Sequence, residues 1–424
     1  MKAGHERLIC SLFVIGILSF VLFTPYALAI PGDSECLAPL SAPAYWPTDG
    51  WLTSTPEEQG MNSTMLEMAG DMVVDRGWTI DSIVVIRHGY IVYEFYPNPH
   101  YDMNTTHPLA SATKSVTGAL IGIALGRGNL TSLDAKVVDF FPERTIANLD
   151  ENKEAITVED LLTMASGLDF HEDTEPSDVF AVLEPIDYLQ YVLDLPMLYP
   201  PGVNRIYSSG DSHILSGIIN ATTGMSALDF GLETLFQPLG ISKVEWKADY
   251  AGTTRGMGWL NLTSRDMAKI GYLYLNDGTW DGQQVIPSDY IHASLQPHDW
   301  NETRALPFGY HWWIDESVDA FTAQGAAQQR IWVQPKNDLV VVITTTTFKE
   351  DLSPPDTPMY GNSDVLIKQV ILPAVLEPAT TPPPTSSETN GSVPAFPLLV
   401  PIAGLAVGTV IVVAAVLIAR QRKS

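Results

Sequence analysis

Between Ser111 and Leu125 the chain offers no polar face. Val116, Ala119, Leu120, Ile121, Ile123, Ala124 and Leu125 surround the helix that this stretch predicts. A helix that is apolar all round is buried on most sides, so a core must be built around it. Gly126 or Gly128 supplies its C-terminal stop. Yet Lys114 stands in the first turn, three residues after Ser111. Residues at that spacing are neighbours on a helix surface, so an amine and a hydroxyl can meet where water is scarce.

Two effects favour an uncharged lysine there. Burial disfavours the ammonium form, and so does the positive end of the helix dipole beside the first turn. A neutral amine within reach of a hydroxyl is a general base, which makes the serine a nucleophile. The backbone N–H of Ser111, at the helix start, can face a developing oxyanion. The four residues alone leave a second reading open. The chain has eleven lysines, so one serine three residues upstream can arise by chance, and Lys114 could simply snorkel to water.

The ends of the chain predict where that helix works. Residues 1–29 carry Lys2 and Arg7, then "LICSLFVIGILSFVLF", then a small-residue site ending at Ala29. This is the pattern of a cleaved secretory signal, with an uncleaved anchor as the alternative. Residues 395–419 form an uncharged apolar segment long enough to span a hydrocarbon core of about 30 Å, and the basic tail 420–424, "RQRKS", follows it. A basic end fits the cytoplasmic side. A cleaved lipid-anchor signal would finish on the apolar tail instead. Residues 377–394 are rich in Pro, Thr and Ser and predict an extended stalk. The expectation is one body, residues 40–376, held outside the cell by a single C-terminal transmembrane helix.

Charge and cysteine usage narrow the chemistry. Without the two end segments the chain keeps 18 basic and 48 acidic residues, a formal charge near −30. Such a surface repels nucleic acid and anionic lipid. Cys10 leaves with the signal and Cys36 stands alone, which excludes an internal disulfide and a zinc–thiolate site. Seven N-x-[ST] acceptors, at Asn62, Asn104, Asn129, Asn220, Asn261, Asn301 and Asn390, predict a glycosylated surface protein if the host modifies asparagine. No metal or organic cofactor is implied. "DFHEDTEPSD" lacks metal-ligand periodicity and is expected to be a solvated loop. His88, His107, His171 and His213 fall singly, and no G-x-S-x-G is present, against a Ser-His-Asp hydrolase.

Along the body, "DSIVVIRHGYIVYEFYP" predicts a hairpin around His88-Gly89. Before it, "MNSTMLEMAGDMVVDRG" has helical spacing and an N-cap at Asn62 or Ser63. "FGYHWWIDE", "QQRIWVQP" and "DLVVVITTTT" predict three more strands, and "NSDVLIKQVILPAVL" a last helix. Strands at both ends and helical patterns between Asp134 and Leu275 imply an α/β (α+β) fold. One sheet would be made from both termini, with a mostly helical insertion.

Further motifs join the Ser-x-x-Lys quartet. "GNLTSLDAKVVDFFPE", "ITVEDLLTMASGLDF" and "GMGWLNLTSRDMAKIGYLYLNDGTWDGQQVI" lie in order along the body, and "RIYSSGDSHILSGII" supplies Tyr207 and Ser209. Together they resemble the serine penicillin-recognising enzymes that carry S-x-x-K, and most closely their class C β-lactamase-related branch. That branch includes esterases, D-aminopeptidases, D,D-carboxypeptidases and 6-aminohexanoate-dimer hydrolases. The likeness covers roughly Trp51 to Leu376 and implies a β-lactamase-like antiparallel sheet flanked by helices. It also implies a mechanism. Ser111 attacks an ester or amide carbonyl of a small-molecule substrate, Lys114 takes its proton, and Tyr207 passes a proton to the leaving group.

Two departures from the family pattern bear on substrate. Ser209 replaces the asparagine of Tyr-x-Asn, in the Y-S-S-G form that dimer-hydrolase-like members often carry. The third motif, Lys-Thr-Gly or a relaxed G-x-G-G-Q, here reads Ala326, Ala327, Gln328, Gln329. Ser209, Gln328 and Gln329 are thereby placed at the substrate, with the Gln329 N–H as second oxyanion donor. The basic residue that would hold a β-lactam or terminal carboxylate is missing, which argues against a β-lactamase or D,D-peptidase. The bulk of Ala327 and Gln328 also keeps a catalytically inactive surface binding protein in view.

Overall fold

The computed structural model describes residues 43–172, 177–184, 186–298, 307–346 and 362–376. Its first elements follow the sequence pattern. Helix α1 (Ser63–Asp75) is capped by the Asn62 side chain, which accepts from the Met65 N–H at 3.1 Å. Strands β1 (Ile80–Arg87) and β2 (Tyr90–Phe95) pair antiparallel about His88-Gly89, whose φ angles of 50° and 80° make the turn left-handed. β3 (Thr106–Pro108) leads into a short 3-10 turn, Ala110–Ala112, and then α2 (Thr113–Gly126).

Five short or medium helices follow: α3 (Glu151–Ala155), α4 (Val158–Leu162), α5 (Tyr188–Asp194), α6 (Ser209–Thr223) and α7 (Ala227–Gly231). The expectation of a mostly helical insertion needs two corrections. β4 (Glu245–Trp246) and β5 (Leu260–Thr263) join β3 in a small sheet of order β3-β5-β4. Helix α8 (Ser264–Leu275) packs on the main sheet rather than in the insertion. Beyond it, β6 (Thr279–Trp280) and β7 (Gln283–Gln284) form a hairpin, and α9 (Ser288–Ser294) follows. The main sheet resumes with β8 (Trp313–Asp315), β9 (Ala320–Gly325), β10 (Gln329–Gln334) and β11 (Leu339–Thr345). The chain closes through α10 (Ser363–Leu366) and two further turns to Ala374.

The six-stranded sheet has the order β2-β1-β11-β10-β9-β8, so β1 from the start of the body lies against β11 from its end. All its pairs are antiparallel. Alternate residues face opposite layers. Val84, Ile86, Ile331, Val333, Val340 and Val342 join the core with α2, α6 and α8. Ile83, Val85, Trp332, Val341 and Ile343 meet α1 and the C-terminal turns. Covering both faces explains the unbroken apolar runs Ile83–Ile86 in β1 and Leu339–Ile343 in β11.

Helix α2 is the centre of the larger core, with Thr113 through Ala124 all buried. Burial of Val116, Leu120, Ile121 and Ile123 contributes about 1.5–3 kcal/mol each. The signal, the stalk, the segment 395–419 and the tail 420–424 lie outside the described residues. Among the described residues no helix is long and apolar enough to cross a membrane.

Candidate active site

Ser111 sits half-buried in the 3-10 turn that feeds α2, just after Ala110, whose φ is 48°. Lys114, in the first turn of α2, is only 3% exposed. Its Nζ lies 3.1 Å from Ser111 Oγ, 3.0 Å from Ser209 Oγ and 3.1 Å from the Met257 carbonyl. The amine therefore does not snorkel. It is held by three oxygens, and one belongs to the candidate nucleophile.

Each neighbour is fixed by the fold. Ser209 opens α6, and the N-cap Ser208 binds Asp211 reciprocally, accepting from its N–H at 3.1 Å and donating to its carboxylate at 2.9 Å. Ser166 donates to the same Asp211 oxygen at 2.8 Å. Complete burial pushes the Asp211 carboxyl up to about 7 against those hydrogen bonds. Met257 is presented by a segment pinned from two sides: Thr117 Oγ donates to the Gly256 carbonyl at 2.7 Å, and the Trp246 indole to the Arg255 carbonyl at 2.9 Å. The Tyr207 ring centroid stands 5.0 Å from Lys114 Nζ. That ring stacks on Trp313 at 6.1 Å, and the Arg205 guanidinium lies over Trp313 at 5.3 Å.

Three features were not legible in the sequence. His311 is buried behind α2, 2.9 Å by Nδ1 from the Lys114 carbonyl and 3.4 Å by Nε2 from Ser212 Oγ. The carbonyl can only accept, so Nδ1 carries the proton. Burial pushes this imidazole down to about 4, which leaves it neutral near pH 7. Its φ of 61° bends the chain so that ring and backbone both reach α2. The second feature is the Met257 carbonyl; the residue lies in the "GMGWLNLTS" stretch, but nothing in that stretch points its carbonyl at Lys114.

The third is Glu172. The stretch "DFHEDTEPSD" reads in the sequence as a solvated loop. Glu172 nevertheless turns inward. One carboxylate oxygen accepts from the Ser209 N–H at 2.8 Å and the other from Ser209 Oγ at 2.7 Å. The nearest sequence signal is its place shortly after the "SGLDF" run.

The third-motif turn sends its side chains away from the nucleophile. Gln328 and Gln329 stand beside the site in backbone but turn their side chains elsewhere. Gln328 Oε1 accepts from Ser363 Oγ at 2.7 Å, and Ser363 in turn accepts from Arg330 Nε at 3.0 Å. The fully buried Gln329 amide brackets Thr345, donating to its carbonyl at 2.6 Å and accepting from its N–H at 3.2 Å. Both side-chain amides are thus committed within the fold. The turn abuts the nucleophile because Gly325 lies against the Leu109 carbonyl, where an added Cβ would come within 2.2 Å. A separate cavity of about 650 Å³ is lined by Arg144, Ser216, Asn220 and Thr254, and none of Ser111, Lys114 or Tyr207 borders it. Geometry rather than cavity size places the candidate chemistry.

Comparison with known proteins identifies the family and the fold. The sequence model of the beta-lactamase family matches residues 71–362, more than half of the chain. A 6-aminohexanoate-dimer hydrolase of Paenarthrobacter ureafaciens is 22% identical over 286 residues, 62% of this chain and 71% of that protein. A D-aminopeptidase of Brucella anthropi is 26% identical over 40% of this chain, which spans about a third (32%) of that relative. Among solved structures, a family VIII carboxylesterase superposes with a TM-score of 0.59 at 14% identity, covering 76% of this chain and 98% of its own. At that identity the superposition speaks for the fold alone. The chain belongs to the beta-lactamase family and is an enzyme of its serine-hydrolase type.

Proposed function

We propose that this protein is an outward-facing, membrane-tethered hydrolase that cleaves small esters or amides through an acyl-enzyme on Ser111. Lys114 takes the Ser111 proton as the hydroxyl attacks. Tyr207 delivers a proton to the leaving group and later helps to activate the deacylating water. The N–H groups of Ser111 and Gln329 hold the oxyanion. The observation that carries this reading is the Lys114 amine, almost fully buried, 3.1 Å from Ser111 Oγ.

Substrate charge follows from the same site. The third-motif turn contributes no cation, and the Glu172 carboxylate stands one hydroxyl away from the amine. A carboxylate next to the scissile bond would meet repulsion from Glu172, and the third-motif turn offers no cation against it. Esters and amides with no carboxylate beside the scissile bond fit this site better than β-lactams or D,D-peptides. Tethering rests on the apolar segment 395–419 and its basic tail.

The bulk of Ala327 and Gln328 in the third motif motivates a second reading, a surface binding protein that kept the fold. One experiment separates the two. The full-length protein is incubated with a fluorophosphonate and with short p-nitrophenyl esters. Label on Ser111, lost in Ser111→Ala, together with ester turnover is expected. An unlabelled Ser111 and no turnover would leave the binding protein standing, and turnover of penicillin above the esters would reverse the substrate assignment.

A further inference from the structure

We infer that Glu172 is a positioning residue that sets the direction of the hydrogen bonds around Lys114, working through Ser209, which stands where the Tyr-x-Asn pattern has an amide. This rests on the Ser111–Lys114 reading above and deepens it.

The argument is a count of protons. Lys114 Nζ has three oxygen neighbours: Ser111 Oγ, Ser209 Oγ and the Met257 carbonyl. An uncharged amine, the form that can take a proton from Ser111, has two N–H groups and one lone pair. The Met257 carbonyl can only accept, so it uses one N–H. Either hydroxyl could use the other, because a hydroxyl both donates and accepts. If Ser209 donated to the amine, the lone pair would point at Ser209 and Ser111 would be left accepting a hydrogen bond. That arrangement cannot begin acylation.

Glu172 removes the ambiguity. Its carboxylate, as acceptor, takes the Ser209 hydroxyl proton at 2.7 Å, while its other oxygen is anchored on the Ser209 N–H at 2.8 Å. Ser209 Oγ, its proton committed, must accept from Lys114. The lone pair is then left for the Ser111 O–H. The same frame serves after proton transfer: the ammonium donates to all three oxygens, and nothing has to rotate. An asparagine at position 209 would accept through its amide oxygen without help. Ser209 is two-faced, and Glu172 makes it behave as that amide oxygen does.

Glu172→Gln is the sharpest variant, because it keeps size and keeps an acceptor for the Ser209 N–H. With its oxygen so used, its NH₂ faces Ser209 Oγ as a donor and turns the Ser209 proton back toward Lys114. Acylation of the full-length protein by a p-nitrophenyl ester, and labelling by a fluorophosphonate, should both slow ~10- to 100-fold. Glu172→Ala should behave similarly. Adding Ser209→Asn to Glu172→Ala restores a fixed acceptor in the space vacated and should return the rate to within ~3-fold of wild type. Thermal melts of all variants report whether each is folded.

A Glu172→Gln protein that acylates at the wild-type rate would overturn the inference. So would folded variants whose slow acylation Ser209→Asn leaves unrepaired, since then Glu172 only holds its loop in place. Wild type that takes no label removes the hydrolase reading, and this inference with it. Wild type that labels while either other outcome holds removes this inference alone.

Discussion

The nucleophile side and the third-motif side of the cleft are held in opposite ways. At the nucleophile, function lies in side chains, and each is locked by several partners: Lys114 by three oxygens, His311 by α2, Ser209 by Glu172. At the turn Ala326–Gln328 and the Gln329 that follows it, the proposed function lies in main chain. Ala327 and Gln328 adopt φ of 58° and 73°, a region that glycine enters freely and other residues enter at a cost. Tertiary hydrogen bonds hold the turn: Gln328 to Ser363, Ser363 to Arg330, and the Gln329 amide around Thr345. Side-chain chemistry constrains residue identity. Backbone chemistry constrains conformation and tolerates unexpected residues where the surroundings enforce the shape.

The largest effect should come from the side where identity matters. Lys114→Met keeps an unbranched chain in the buried site and removes only the amine. Ester hydrolysis should fall ~10³-fold, while the thermal melt stays at or above wild type because a buried polar group is gone. A variant retaining a tenth or more of wild-type kcat would break the comparison, since the proton would then be leaving Ser111 by another route.

How far each side is legible in the sequence follows from the same contrast. Helix α2 and the β1–β2 hairpin announce themselves because burial imposes periodic apolar residues; Lys114 rides on that helix and Ser111 on the turn that feeds it. β9, reading Ala-Phe-Thr-Ala-Gln-Gly, carries no β-branched run and is strand only because β10 and β8 flank it. Glu172 meets Ser209 across 37 positions, and His311 meets Lys114 across 197. No local spacing encodes such contacts. Gln328 and Gln329 stand where a motif places them, but which way their amides turn is decided by Ser363 and Thr345.

A second, smaller effect tests the locking of the nucleophile helix. The folded chain holds His311 neutral down to about 4, whereas an unfolded histidine binds a proton near 6.5. Between those values the unfolded state carries the extra proton, so stability falls as pH is lowered through that window. His311→Asn keeps a donor toward the Lys114 carbonyl and tolerates the left-handed backbone. Relative to this variant, wild type should lose up to ~3 kcal/mol between pH 6.5 and 4, measured by urea unfolding at each pH. Parallel pH profiles for the two proteins would show that His311 is not the buried neutral group described.

The smallest effect belongs to the turn. Ala327→Gly leaves the conformation and relieves the left-handed strain, which costs an L-residue about 1–2 kcal/mol. Part of that gain is offset by the greater freedom of glycine in the unfolded chain, about 0.4–1 kcal/mol. A net stabilisation of ~0.5–1 kcal/mol is expected in denaturant titrations. Loss of the methyl should also widen the cleft, so kcat/KM for a bulky acyl ester should rise a few-fold more than for acetate. Both signs matter for the comparison. If the variant is destabilised instead, the Ala327 side chain is itself a packing element, and the turn is held by residue identity just as the nucleophile is. If it is stabilised while ester turnover collapses, the strain is part of how the N–H of Gln329 is aimed, and the backbone side of the site depends on alanine rather than merely tolerating it.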